Sequence, residues 1–239
     1  MSTTFHLTTS DALQLSGTSY TPTGEIKGVV VLLHGMGEHF GRFKHVVDFF
    51  STIGYATVGM AHRGHGNSGG KKGHTPSYDQ LMNDIDLLMT ETQEMFTGKP
   101  VVLYGHSMGG NLAANYAIRK KPSLKGLILT APYFRLAFNP PAWKVKLARI
   151  SAAIIPALTQ STGLEVEAAS RDPKVVEDYK ADPLVHDKIT SAFFVNVYYA
   201  IVGMRRGFVY SYQRDELRSI PDMSKKTPVI DAGMIEISR

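Results

Sequence analysis

The chain has 239 residues, 43% of them hydrophobic and 20% charged, with a formal net charge of +5 and no cysteine. This length and balance suit one large α/β domain with room for an inserted subdomain. The absence of thiols excludes disulfides, thiolate catalysis and zinc–thiolate centres, and the short basic pairs Lys120-Lys121, Arg205-Arg206 and Lys225-Lys226 lack the dense stripe of a nucleic-acid site.

Met1 to Ser10 is polar and has no basic-then-apolar leader layout. No run approaches the ~18 apolar residues of a membrane span, so a cytoplasmic location is expected. Phe5 to Thr9 and Ala12 to Gly17 predict two short strands around a polar turn. Gly28 to Leu33 is a continuous apolar, β-branched run, as in a strand buried on both faces. Phe43, Val46, Val47 and Phe50 carry a helical spacing over 43–53, and Tyr55 to Met60 is the next strand. Tyr78 to Phe96 predicts a long amphipathic helix with Leu81, Ile85, Leu88 and Met89 on one face. Pro100 to Tyr104 predicts a buried strand, Gly110 to Lys121 a helix and Leu124 to Ala131 a further strand. Alternating strands and helices imply a parallel sheet with helices on both faces.

Beyond Ala131 the rhythm stops. Residues 133–201 show helical patterns, no clear buried strand, and Pro140, Pro141, Pro156, Pro173 and Pro183. They read as an inserted helical cap. The chain then divides into an α/β core over 1–132, the cap over 133–201 and a divergent carboxyl-terminal segment of the core over 202–239. Trp143 to Leu158 mixes basic residues with Val145, Leu147, Ile150, Ile154 and Ile155. Such a segment either packs on the main domain or turns an apolar face toward lipid or an acyl chain.

Gly105-His106-Ser107-Met108-Gly109 fits G-x-S-x-G, and so does Gly66-Asn67-Ser68-Gly69-Gly70. Only the first lies between a predicted strand and a predicted helix, the context of a nucleophile elbow. Ser68 runs on into a glycine- and lysine-rich loop. Ser107 is therefore the candidate nucleophile, at a helix N-terminus where the macrodipole favours developing negative charge. Its alternative role is that of a capping serine. A tetrahedral oxyanion needs donors. The backbone N–H groups of Met108 and of Met36, in the loop after the first buried strand, are the candidates. His34 reads as a structural histidine bonding loop backbone.

His34-Gly35-Met36-Gly37-Glu38-His39, Arg63-Gly64-His65-Gly66-Asn67-Ser68-Gly69 and Gly105-His106-Ser107-Met108-Gly109-Gly110 follow one another in this order. With Leu127 to Pro132 and Asp182-Pro183-Leu184, they resemble the monoacylglycerol lipase and lysophospholipase branch of the α/β-hydrolases, the serine aminopeptidase S33-like group. The resemblance covers about Phe5 to Ala200. It implies a medium- or long-chain acyl ester as small-molecule substrate, an acyl tunnel shaped by the cap, and neither cofactor nor metal. Peripheral membrane contact through the cap fits the same picture. Ala61 departs from the pattern, because that branch often has an acidic residue there, and the departure bears on a loop-bracing interaction and not on the chemistry.

The fold orders its triad as Ser, then Asp or Glu, then His. His186 is the one histidine after Ser107 and so the remaining candidate base, although its stretch resembles the end of the family's cap and not the base position. Lys226 to Ile230 resembles the start of the strand that carries the acid, with Glu236 as a weak candidate. The expectation is a truncated or frame-shifted member lacking its carboxyl-terminal strands. Two functions stay open: an esterase working through a Ser107 acyl-enzyme, or a catalytically impaired hydrolase fold that binds lipids or partners.

Overall fold

The computed structural model describes residues 1–134, 141–164, 166–168, 170–200 and 234–235. Strands β1 (Ser2–Thr8) and β2 (Gln14–Tyr20) form an antiparallel hairpin. β2 also pairs antiparallel with β4 (Tyr55–Met60). β4, β3 (Gly28–Leu33), β5 (Val101–His106) and β6 (Gly126–Thr130) run parallel, in that order. A two-residue strand, Met234–Ile235, pairs antiparallel with β6 on its other side. The predicted strand start at 226–230 and the candidate acid Glu236 lie outside the described residues.

The first hairpin is displaced from its predicted bounds. Thr9 N–H donates to the Leu13 carbonyl at 2.9 Å, the Thr9 hydroxyl accepts the Leu13 N–H at 2.9 Å, and Ala12 takes a φ of 60°. This closed turn takes up residues 9–13, so the second strand starts at Gln14 and not at Ala12.

β3 organises both layers. All six of its residues are buried. Val29, Val31 and Leu33 join the core cluster of Leu81, Ile85 and Leu88 from α2 (Tyr78–Met95) and Leu112 from α3 (Met108–Lys120). Val30 and Leu32 belong to the opposite cluster with Phe40, Phe43 and Val47, from a 3-10 turn and α1 (Lys44–Thr52). Successive strand side chains point to opposite faces, so a strand covered on both sides needs an unbroken apolar run. Each fully buried branched side chain stabilises the fold by about 1.5–3 kcal/mol.

The connectivity places the site. From β3 the chain passes through α1 to β4 on one side, and α2 returns it to β5 on the other. Strand order reverses at β3, and ligands in such sheets bind outside the carboxyl ends of the strands at that switch. Leu33 is paired with Gly105. The loop after β3 and the turn after β5 therefore begin side by side.

The cap follows β6. It comprises α4 (Ala142–Ile154), α5 (Pro173–Ala181) and a helix over 191–200, here α6. It also holds an antiparallel ribbon of β7 (Thr159–Ser161) and β8 (Lys188–Thr190), three residues each and too short for alternation to show in sequence. Of the two readings of Trp143 to Leu158, exposure among the described residues favours the apolar face turned outward. No residue of α4 is buried and Trp143, Leu147, Ile150 and Ile154 are exposed, while the Ser151 hydroxyl lies 2.8 Å from that of Ser191 in α6.

Candidate functional site

β5 and α3 both extend further than their patterns suggest and leave Ser107 alone between them. Ser107 has φ 52° and ψ −116°. A non-glycine residue so placed costs on the order of 1–3 kcal/mol and persists only where its surroundings over-determine it. Here its N–H donates to the Thr130 carbonyl at 3.0 Å. Its carbonyl accepts the N–H groups of Asn111 at 3.1 Å and Tyr133 at 2.8 Å. A Cβ on Gly105 would strike the Gly109 carbonyl, and one on Gly109 would strike the Leu33 carbonyl. The turn thus tolerates only glycine on either side of the serine.

Behind the turn, buried Asn111 accepts the Tyr78 hydroxyl at 2.8 Å and donates to the Tyr133 carbonyl at 3.1 Å. It ties α2, α3 and the segment after β6 together. Sequence reading missed it, and the available signal was a polar residue on an apolar helix face.

The loop after β3 packs against the serine. A Cβ on Gly35 would lie 3.2 Å from Ser107 Cβ. Gly35 N–H donates to Glu38 Oε1 at 2.7 Å, closing the turn that presents Met36. Met36 N–H makes no hydrogen bond among the described residues. Met108 is the first residue of α3, so its N–H has no intrahelical acceptor. Burial pushes the Glu38 carboxyl up to about 7, against the opposing pull of the Gly35 N–H and Arg42.

No side chain among the described residues hydrogen-bonds the Ser107 hydroxyl. His186 does not serve it. Its Nε2 donates to the Gly64 carbonyl at 2.9 Å and its Nδ1 accepts the Lys188 N–H at 3.2 Å. With both nitrogens engaged, it braces the cap on the loop after β4, which corrects its weak candidacy as base. Ser68 is also occupied, donating to the Ala61 carbonyl at 2.6 Å and accepting the Ser16 N–H at 2.9 Å. Its hydroxyl braces the loop that begins at Ala61.

His34 has the structural role expected of it. Its Nδ1 donates to the Gly35 carbonyl at 2.7 Å and its Nε2 accepts the His62 N–H at 3.0 Å. His62 Nε2 donates to the His34 carbonyl at 3.2 Å, and His65 Nδ1 to the Arg63 carbonyl at 3.0 Å. Burial holds His34 well below the ordinary histidine range, His62 at about 4 and His65 at about 3. All three are neutral connectors at pH 7. Arg63, in the same loop, binds Asp84 through two contacts of 2.6 and 2.8 Å and Asp11 through two of 3.0 and 3.3 Å. Arg63 and the Thr9 hydroxyl hold the Asp11 carboxyl down at about 2. Among the described residues no cluster of His, Asp and Glu could hold a metal ion, and no helix is long and apolar enough to cross a membrane.

Residues 24–206 match the serine aminopeptidase S33 family. The chain is 35% identical over 167 residues to a monoacylglycerol lipase of Mycolicibacterium smegmatis, covering 70% of this chain and 59% of that protein. It is 28% identical over 183 residues to the human monoglyceride lipase, covering 75% of this chain and again 59% of the relative. The crystal structure of the Paleococcus ferrophilus monoacylglycerol lipase superposes with a TM-score of 0.72 at 32% identity, over 80% of this chain and 72% of that one. A match of this extent, on a sheet that carries a serine elbow at its switch point, means that the chain belongs to the serine aminopeptidase S33 family, in the monoacylglycerol lipase branch of the α/β-hydrolases.

Proposed function

We propose that this chain carries the nucleophile half of a carboxylic-ester hydrolase site and that its turnover is impaired. In this reading Ser107 attacks the acyl carbonyl, while the Met36 and Met108 N–H groups receive the oxyanion. The observation that carries it is the strained Ser107 backbone between β5 and α3, beside the Gly35 turn. The substrate is an acyl ester of the monoacylglycerol type, as the names of the relatives suggest, and the motif resemblance adds lysophospholipids and medium- or long-chain acyl groups. Impairment is supported by the Ser107 hydroxyl, which has no base among the described residues. A serine site reduced to oxyanion donors and binding keeps a rate of roughly 10³ to 10⁴ over water. The division into core (1–132), cap (133–201) and carboxyl-terminal segment (202–239) belongs to the same proposal. So does peripheral membrane contact through α4, whose exposed Trp143, Leu147 and Ile154 stand among Lys144, Lys146 and Arg149.

Fluorophosphonate labelling compared between the wild type and Ser107→Ala tests both parts. Slow labelling that vanishes in Ser107→Ala is the expected result. Prompt, stoichiometric labelling with full ester turnover would instead favour an intact enzyme. Equal labelling of both proteins would remove Ser107 from its role.

A further inference from the structure

The turn that presents Met36 is gripped from two sides. On the core side, Glu38 Oε1 accepts the Gly35 N–H at 2.7 Å. The other carboxylate oxygen of Glu38 lies 3.9 Å from Arg42 Nε. Arg42 then reaches the cap. Its guanidinium stacks 4.5 Å over the Tyr179 ring and lies 3.6 Å from Asp182 Oδ2. The same Asp182 oxygen is 2.8 Å from His39 Nε2, and Asp182 Oδ1 accepts the Leu184 N–H at 2.9 Å. His186 N–H closes the circle by donating to the Gly37 carbonyl at 2.8 Å.

An isolated surface ion pair holds little. This group differs in three respects. The Glu38 and Arg42 side chains are only 14% and 15% exposed. The guanidinium is stacked on an aromatic face. Asp182 is itself fixed by two further bonds. Removing one member leaves a largely buried charge without its partner, and the rest must move or shed that charge.

We propose that Arg42 and Asp182 are positioning residues, through which docking of cap residues 179–186 on loop 35–42 sets the backbone geometry that Gly35 and Met36 present to Ser107. This rests on the reading of Ser107 as nucleophile and Met36 as oxyanion donor. Loosening the cap arm then degrades transition-state stabilisation and leaves ground-state binding intact, because the donors must already point at the developing oxyanion.

The test combines hydrogen–deuterium exchange on the full chain with fluorophosphonate labelling of the wild type, Arg42→Met, Arg42→Lys and Asp182→Asn. In Arg42→Met and Asp182→Asn, exchange over residues 34–39 should rise about tenfold while β5 stays protected, since local opening is independent of global unfolding. The maximal labelling rate should fall with the half-saturating reagent concentration unchanged, and Arg42→Lys should recover most of both losses. Unchanged exchange over 34–39 in both variants, with 179–186 loosened, overturns the proposal. So does a failure of Arg42→Lys to recover anything. The exchange readout needs no chemistry, so a wild type that does not label defeats the Ser107 reading alone. If Asp182→Asn loses β5 protection and so unfolds, the comparison of Arg42→Met with Arg42→Lys decides.

Discussion

The sheet core and the cap are held by different forces. In the core, β3 and β5 with α1, α2 and α3 bury Val29 to Leu33, Leu103, Leu81, Ile85 and Leu112. In the cap, α4 and α5 bury nothing, and α6 supplies the apolar anchors Phe193 and Val197. The rest of the cap leans on the core through directional bonds: His186 N–H to Gly37, His186 Nε2 to Gly64, Thr190 N–H to Gly73 and Lys71 Nζ to Ala157. Apolar burial is non-directional and scales with area, so it fixes the core against many local changes. Polar contacts work only in one geometry. The cap is therefore tied most tightly to the loops at the carboxyl ends of the strands, where the candidate site lies.

This contrast can be broken first where the core relies on a buried charge, at Arg63 and Asp84. Asp84→Ala leaves the Arg63 guanidinium, 4% exposed, with Asp11 alone, and should cost about 3–5 kcal/mol in urea unfolding. A loss below about 1 kcal/mol would mean that water reaches Arg63. Leu103→Ala, in the fully buried centre of β5, should cost about 2–5 kcal/mol by the same measurement.

Acid should act next, and on the core. His62 and His65 stay neutral in the native state down to about 4 and about 3, while in the unfolded chain they titrate near the ordinary value of 6.5. Between those limits the unfolded state binds more protons, so stability falls as pH drops below 6.5. The loss reaches about 2 kcal/mol for each histidine at pH 5 and levels off below the native values. Glu38 acts in the opposite sense. Its carboxyl, raised from 4.5 to about 7, stabilises the fold below 4.5, and that contribution fades as pH rises through 7. Thermal melts from pH 8 to pH 5 measure the sum in the wild type, and in Glu38→Gln, which lacks the opposing carboxyl, a flat profile would deny the buried neutral imidazoles. The smallest effect belongs to the cap. Ile154→Ser, at a residue 72% exposed, should change stability by no more than about 0.5 kcal/mol. A loss several times larger would show that α4 is packed after all.

The site was legible in part. Gly105 to Gly109 and Gly35 to Gly37 stood out because a tight turn and a close backbone approach admit only glycine, and that demand is local. Glu38, Arg63 and Asp182 lay inside the motifs that carry the family resemblance but had no role assigned to them, and Arg42 was not singled out. Their partners lie up to 143 residues away, as His39 and Asp182 do, and no short spacing encodes such a pair. The ribbon of β7 and β8 was missed because three residues are too few for a periodic signal. The sequence left the orientation of α4 open for another reason. An apolar stripe records which face avoids water, not which surface covers it.

The amino-acid sequence by itself determined the doubly covered sheet, through the unbroken apolar run of Gly28 to Leu33, and the serine elbow, through glycines whose neighbours leave no room for a side chain. Only the tertiary structure decided that the Gly35 turn lies against Ser107, that His62, His65 and His186 join His34 as backbone braces, and that the cap grips loop 35–42. Periodicity and turn chemistry act over a few residues and are written along the chain. Hydrogen bonds and ion pairs between distant segments exist only once hydrophobic burial has brought those segments together.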